Sequence, residues 1–140
     1  MRKKLAIILT IAMLLPMVVM ALPASADYAT YTTRLSGATR VETAVAVSVK
    51  KYAATAAADN VVLARKDMFP DALAGGVLAD AKIAPILLTS STSLDGAAKD
   101  EINRSLNGAA GTVYILGGTG AISADVENAV KALDSDYTVT

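Results

Sequence analysis

One stretch, FPDALAGGVLADAKIAPILL at residues 69–88, constrains the fold of this chain more than any other segment. It joins a turn, a helix of very small residues and a short, wholly apolar strand. Gly75 and Gly76 each cost about 1 kcal/mol of helix propensity, and such glycines are tolerated mainly where another element comes very close. The stretch therefore predicts a helix packed between other layers of backbone at the centre of the core.

The stretch closes with the apolar run Pro85, Ile86, Leu87 and Leu88, which a cluster of Thr and Ser follows. A continuous apolar run of this length is typical of a strand buried on both faces. Such strands occur in parallel sheets that carry helices above and below.

The rest of the chain alternates between helical and strand-like patterns. Thr39 and Glu42 fit the capping box of a helix whose apolar spacing extends to about Ala57. Further helices are predicted from about Leu94 to Leu106, with Ser93 as N-cap, and after an N-cap at Ser123. Strand-like segments lie at residues 27–33, 61–64, 112–116 and 137–140.

Four helices that alternate with about five short strands favour right-handed crossovers and a mainly parallel sheet. The predicted fold is therefore α/β, a three-layer sandwich with a mainly parallel central sheet of the Rossmann-like or Toprim-like kind. The turn at residues 117–120, GGTG, also invites a nucleotide-binding interpretation. That signal is weak, because Ser123 stands where the pattern needs its last glycine.

Residues 1–26 have the pattern of a secretory signal peptide. Three basic residues precede an apolar run at residues 5–22, and Ala24-Ser25-Ala26 offers a cleavage site. The alternative is an uncleaved membrane anchor, since the apolar run approaches the length of a span. We expect cleavage after Ala26 and an exported domain of residues 27–140 with no stable membrane anchor.

Cleavage changes the net charge, because three of the 13 basic residues lie in the leader. The remaining 10 face 13 acidic residues, and the resulting charge of −3 argues against nucleic acid as a partner. The chain has no cysteine and no histidine, so it lacks disulfides, the most frequent metal ligand and the most frequent general base. We expect no metal and no cofactor.

Four blocks of this sequence together resemble the cell wall binding repeat 2 family, which comprises surface modules of Gram-positive bacteria on S-layer proteins, autolysins and proteases. The blocks stand in the family's order and spacing, and the resemblance runs from Arg34 to about Leu133. Residues 27–140 are therefore interpreted as a single module. The blocks are RLSGATRVETAVAVS at 34–48, FPDALAGGVLA at 69–79, APILLT at 84–89 and VYILGGTGAISADV at 113–126.

The resemblance implies a secreted module of the cell wall or cell surface that performs no catalysis. Such a module anchors proteins non-covalently by binding an anionic wall polysaccharide. Family members usually carry three tandem modules packed as a pseudo-threefold trimer, so a single module would need self-association as a trimer, or further sequence. Positions that the resemblance assigns to polymer binding are Arg34, Arg40, Asp71, Pro85, Ile86, Leu87 and Leu88.

The residues themselves add a charge argument. Arg34 and Arg40 flank a glycine-containing turn, and Arg65 and Lys66 follow a predicted strand. These cations are expected at the sheet edge where α/β proteins bind ligands. An arginine suits the phosphate or carboxylate groups of a polymer because its planar fork binds two oxygens.

Other interpretations of these residues stay open. Arg40 could pair with Asp71 or Glu42 and tie loops together, and residues 85–88 could be core alone. Asp71 could serve only the dipole of its helix. Two other functions also remain: a cell-wall glycan hydrolase that uses Asp67 and Asp71 as a carboxylate pair, and a module for protein assembly without a ligand.

Overall fold

Short strands separated by helices organise residues 34–140, which are the part of the chain that this computed structural model describes. The predicted signal peptide and the β-prone segment 27–33 lie outside the described residues. In chain order the elements are α1 (Arg40–Lys51), β1 (Asn60–Arg65), α2 (Pro70–Ala81), β2 (Ile86–Thr89), α3 (Gly96–Leu106), β3 (Thr112–Ile115), α4 (Ala124–Lys131) and β4 (Thr138–Val139).

The four strands form one parallel sheet in the order β2-β1-β3-β4. Val62 of β1 lies opposite Ile86 of β2 on one side and opposite Tyr114 of β3 on the other. The central strand β1 has no solvent exposure from Val61 to Ala64. Because parallel neighbours cannot be joined by a hairpin, each connection crosses over through a helix.

The helices lie in two layers on opposite faces of this sheet. The chain moves outward from β1 to β2 and then back past β1 to β3, so right-handed crossovers place α2 and α3 on opposite faces. Val62 packs against Ala79 of α2, whereas Leu63 belongs to the larger core that includes Ile102 of α3 and Val126 of α4. The predicted three-layer α/β fold is confirmed, with four strands in the described part against about five expected.

Helix α1 begins as its sequence predicts and ends earlier. The Glu42 N–H donates to Thr39 Oγ1 at 3.4 Å and the Thr39 N–H donates to Glu42 Oε2 at 2.9 Å, which completes the capping box. The helix stops at Lys51 instead of about Ala57, where the ring of Tyr52 turns into the core. No helix within residues 34–140 is long and apolar enough to cross a membrane.

Glu101 and Arg104 of α3 form hydrogen bonds with α1 and with the loop that follows it. Glu101 is almost fully buried, and it accepts hydrogen bonds from the Ser48 hydroxyl and from Arg104 Nε and Nη2, the latter two at 2.7 Å. Arg104 Nη1 also donates to the Ala54 carbonyl at 3.0 Å. Because Glu101 accepts three hydrogen bonds, two of them from a cation, its buried charge is tolerated.

The expectation that α2 is enclosed on all sides is wrong for its outer half. Phe69, Leu73 and Val77 recur every four residues and expose 74%, 71% and 82% of their surfaces, so they form an apolar stripe along the helix. The inner half is enclosed as expected, since a Cβ at Gly75 would lie 2.4 Å from Leu116 Cδ1. A Cβ at Gly76 would meet nothing within 4 Å.

Substitution of the two adjacent glycines of α2 by alanine should therefore affect stability differently. Gly76→Ala should stabilise the fold by about 0.5–1 kcal/mol through helix propensity alone. Gly75→Ala gains the same propensity but forces Leu116 Cδ1 to move, so it should be less stable than Gly76→Ala by up to about 1 kcal/mol. Urea unfolding of both variants measures the difference, and equal stabilities would contradict the packing described for α2.

Candidate functional site

The carboxyl ends of β1, β2 and β3 meet at one edge of the sheet, which we call the carboxyl edge. The chain reverses its direction across the sheet between β1 and β3, and open α/β sheets bind ligands at such a point. The loops that leave this edge are residues 66–69, 90–95 and 116–123. Lys66 and Asp67 lie in the first of these loops, Arg65 precedes it, Asp71 follows it in the first turn of α2, and Arg40 stands at the start of α1.

Arg40 and Lys66 come together at this edge. Arg40 Nη1 donates to the Lys66 carbonyl at 2.8 Å, and Lys66 Nζ lies 2.9 Å from Asp95 Oδ1. Arg40 thus ties two loops together, although it does so through a carbonyl and not through Asp71 or Glu42. A cleft of about 350 Å³ lies beside this contact, and we call it the Arg40–Lys66 cleft. Its lining residues are Thr39, Arg40, Val41, Lys66, Asp67 and Asp95.

Asp95 is a member of this cleft that sequence reasoning missed. It stands before α3, where Ser93 was expected as the N-cap and Leu94 as the first helical residue. Its N–H donates to Thr89 Oγ1 at 3.0 Å, and its Oδ2 accepts the Ser90 N–H at 2.6 Å. The sequence could have indicated that the helix begins after Asp95, since Asp is a favoured N-cap residue and Gly96-Ala97-Ala98 follows it directly.

Arg65 and Asp67 form a two-bond ion pair at the end of β1. Arg65 Nε and Nη2 donate to the two carboxylate oxygens of Asp67 at 2.5 and 2.6 Å. These hydrogen bonds lower the pKa of Asp67 and raise the pKa of Arg65. A general acid of a glycosidase needs a raised pKa, so the environment of Asp67 is unfavourable for the hydrolase hypothesis.

Asp71 lies on the α2 side of the carboxyl edge. It borders a hollow of about 230 Å³ together with Gly75, Leu116 and Gly117. Gly117 has φ +90°, and a Cβ there would lie 3.0 Å from Asp71 Oδ2 and 2.7 Å from Ala121 Cβ. The glycine after β3 is therefore required both by its backbone conformation and by the close approach of the carboxylate.

The apolar run at residues 85–88 is separate from the Arg40–Lys66 cleft. Leu87 is fully buried in the main core, whereas Ile86 and Leu88 are half-buried on the edge strand of the sheet. Pro85 and Ile86 instead border another groove of about 300 Å³ between α1 and α2, next to Tyr52. The face of this segment that carries Pro85 and Leu87 is buried, whereas the face that carries Ile86 and Leu88 is only half-buried. The expectation of a strand enclosed on both faces is therefore wrong for the second face.

Arg34 is the first described residue and is exposed. The loop that follows it is held to α1 by the Gly37 N–H, which donates to Thr43 Oγ1 at 3.0 Å. Within residues 34–140, no hydrogen bond or ion pair links Arg34 to the cleft. The structure therefore gathers Arg40, Arg65, Lys66 and Asp71 at one edge and leaves Arg34 apart from their contacts.

Positive and negative charges are balanced at the carboxyl edge. Arg40, Arg65 and Lys66 are accompanied by an equal number of aspartates, namely Asp67, Asp71 and Asp95. Within residues 34–140 no group of three or more acidic side chains could hold a metal ion. An edge that presents both donors and acceptors suits a ligand rich in hydroxyl groups, with the cations available for an anionic substituent.

Comparison with known proteins decides the family. A family model for cell wall binding domain 2 (CWB2) matches residues 34–127. The chain belongs to the CWB2 family. The match includes the whole Arg40–Lys66 cleft and the run at residues 85–88, and it confirms the resemblance noted in the sequence. CWB2 domains bind cell wall polymers, so family membership supports a wall-binding role and an association with the cell surface or wall.

Two solved structures are similar to this CWB2 chain. Cwp8 from Clostridium difficile is 33% identical with a TM-score of 0.67, and Cwp6 from Clostridium difficile is 31% identical with a TM-score of 0.65. Each match covers 76% of this chain, and the chain spans only 18% of Cwp8 and 16% of Cwp6. A comparison with curated proteins finds no significant match.

The Arg65–Asp67 pair predicts how the carboxyl edge responds to acid. Because the pKa of folded Asp67 is lowered, the pair persists above the ordinary aspartate pKa of about 3.9 and is lost as the pH falls through the lower folded value. Carboxyl ¹³C NMR should show Asp67 titrating below that ordinary value, and Arg65→Gln should move the midpoint upward. Lys131→Gln on α4 is the control, and a midpoint equal in wild type and Arg65→Gln would contradict the pairing.

Proposed function

We propose that this chain is a non-catalytic module that binds an anionic cell-wall polysaccharide and anchors protein to the wall without a covalent bond. The observation that supports this most directly is the Arg40–Lys66 cleft, which places two cations at the carboxyl edge of a CWB2 domain. Residues 1–26, as a signal peptide, would deliver the module to the outside of the cell.

The cationic and the acidic groups of the cleft would bind different parts of the polymer. Arg40 uses Nη1 on the Lys66 carbonyl, and the side chain of Lys66 is 36% exposed beside it. These two groups would bind the anionic substituent of the polymer, while Asp67 and Asp95 would accept hydrogen bonds from sugar hydroxyls. Because Lys66 already has a carboxylate partner, the salt dependence of binding should be modest.

The other assigned residues would act around this cleft. Arg65 would orient Asp67 through its two hydrogen bonds, and Arg34 and Asp71 would extend the polar surface at its margins. In the run at residues 85–88, Pro85 and Ile86 would contact the polymer at the groove between α1 and α2. Leu87 and Leu88 would support that contact from the strand itself.

Substitution of the two cleft cations tests the wall-binding proposal. Arg40→Gln and Lys66→Gln should each reduce retention on isolated cell walls by roughly tenfold, since a hydrogen bond to a charged group contributes about 1.5–3 kcal/mol. Co-sedimentation of residues 27–140, which contain the compact unit 34–140, measures retention. Lys131→Gln removes the same charge from α4 and should bind like wild type. Unchanged retention in the Arg40→Gln, Lys66→Gln double variant would refute the proposal.

We also propose that the module associates with itself as a trimer, with the apolar stripe of α2 at the contact. Phe69, Leu73 and Val77 are large apolar residues that the described fold leaves in water. Removing side chains of this size from water stabilises an assembly by about 1.5–3 kcal/mol each when burial is complete. The stripe thus provides the apolar surface that the three-module arrangement implied by the family resemblance would need.

Charged substitutions in the stripe test the self-association. Light scattering of residues 27–140 at micromolar concentration should give the mass of a trimer, and the Leu73→Lys, Val77→Lys double variant should give a monomer. That monomer should still unfold in one cooperative thermal transition, because both substituted side chains are exposed and lie outside the core. Val49→Lys on α1 is the control. A wild-type chain that remains monomeric at all concentrations would contradict the proposal.

A further inference from the structure

Asp95 occupies the N-cap position of α3 without capping the helix. No hydrogen bond joins its side chain to the first turn of α3, although Asp is among the residues that usually make this bond. Its carboxylate turns instead toward the loop after β2 and toward Lys66, where Oδ2 accepts the Ser90 N–H at 2.6 Å. Asp95 thus forms contacts at the cleft in place of the N-cap hydrogen bond that is usual for an Asp at this position.

Lys66 is held by three different elements at once. Its carbonyl accepts Arg40 Nη1 at 2.8 Å, its N–H donates to the Thr89 carbonyl at 2.8 Å, and its Nζ lies 2.9 and 3.2 Å from the two oxygens of Asp95. Thr89 is fully buried and its Oγ1 accepts the Asp95 N–H. The lysine that faces the cleft therefore has a fixed backbone and a fixed ammonium group.

We propose that Asp95 is a positioning residue for polymer binding, because its carboxylate holds the Lys66 ammonium at the cleft. This inference rests on the proposed function and goes beyond it. A lysine loses side-chain conformational entropy when it is ordered, so a lysine already ordered in the free protein binds its ligand more tightly. By this argument Asp95 raises affinity for an anionic polymer even though it is itself an anion.

The sign of the effect separates positioning from simple charge. Removing the Asp95 charge makes the cleft more positive, so long-range electrostatics alone predicts tighter binding of an anionic polymer. Positioning predicts weaker binding, by about tenfold, because the ordering of Lys66 then occurs on binding. Asp95→Asn is the sharpest variant, since its amide oxygen can still accept the Ser90 N–H while the ammonium loses its carboxylate.

The experiment compares Asp95→Asn with Glu127→Gln, which removes one negative charge from the exposed Glu127–Lys131 pair of α4. Retention on isolated cell walls should fall about tenfold for Asp95→Asn and stay at the wild-type level for Glu127→Gln. Retention of Asp95→Asn that equals or exceeds that of wild type overturns the proposal. A wild-type protein that does not sediment with walls overturns the proposed function and the positioning role with it.

A second measurement needs no polymer. The acylation rate of Lys66 by an amine-reactive reagent, followed by peptide mass spectrometry, reports how firmly its ammonium is held. Asp95→Asn should accelerate acylation of Lys66 several-fold and leave Lys131 unchanged, whereas Glu127→Gln should leave Lys66 unchanged. An equal Lys66 rate in wild type and Asp95→Asn overturns the positioning role even if walls are bound.

Discussion

The burial of β1 between two parallel neighbours is the constraint on which the rest of this structure depends. Residues 61–64 have no exposed surface, so both faces of the sheet must be covered at this strand. Parallel neighbours require helical crossovers, and the reversal after β2 places those helices on opposite faces. The same parallel pairing brings the loops after β1 and β2 together at the carboxyl edge, where they line the Arg40–Lys66 cleft with the start of α1. The position of the candidate site is thus a consequence of how the core is closed.

At the carboxyl edge, the cations are matched by an equal number of carboxylates. Arg65 pairs with Asp67 and Lys66 pairs with Asp95. Arg40 donates to a backbone carbonyl. Such pairs contribute little to stability when they are exposed, but they restrict where the cationic groups point. A domain with the proposed function would gain from this arrangement, since fixed donors and acceptors would recognise a sugar polymer while the low net charge would limit unspecific attraction.

The sequence was sufficient for most of the fold because its local signals and its burial pattern agree. The capping box at Thr39, the strand at residues 61–64 and a small-residue helix within residues 69–88 were all predicted, and the order of elements implied the parallel sheet. The early end of α1 was not predictable, since the loop that follows it contacts Arg104 on a distant helix. The role of Asp95 was hidden for the same reason, because its partner Lys66 is far away in the chain.

We propose that the carboxyl edge, and the Arg40–Lys66 cleft in particular, is where the wall polymer binds. Titration of isotope-labelled protein with soluble fragments of purified wall polysaccharide, followed by backbone NMR shifts, tests this most directly. If the cleft binds the polymer, the largest changes should occur at Arg40, Lys66, Asp67 and Asp95. Changes confined to α4 and β4, with the signals of the cleft unmoved, would contradict it.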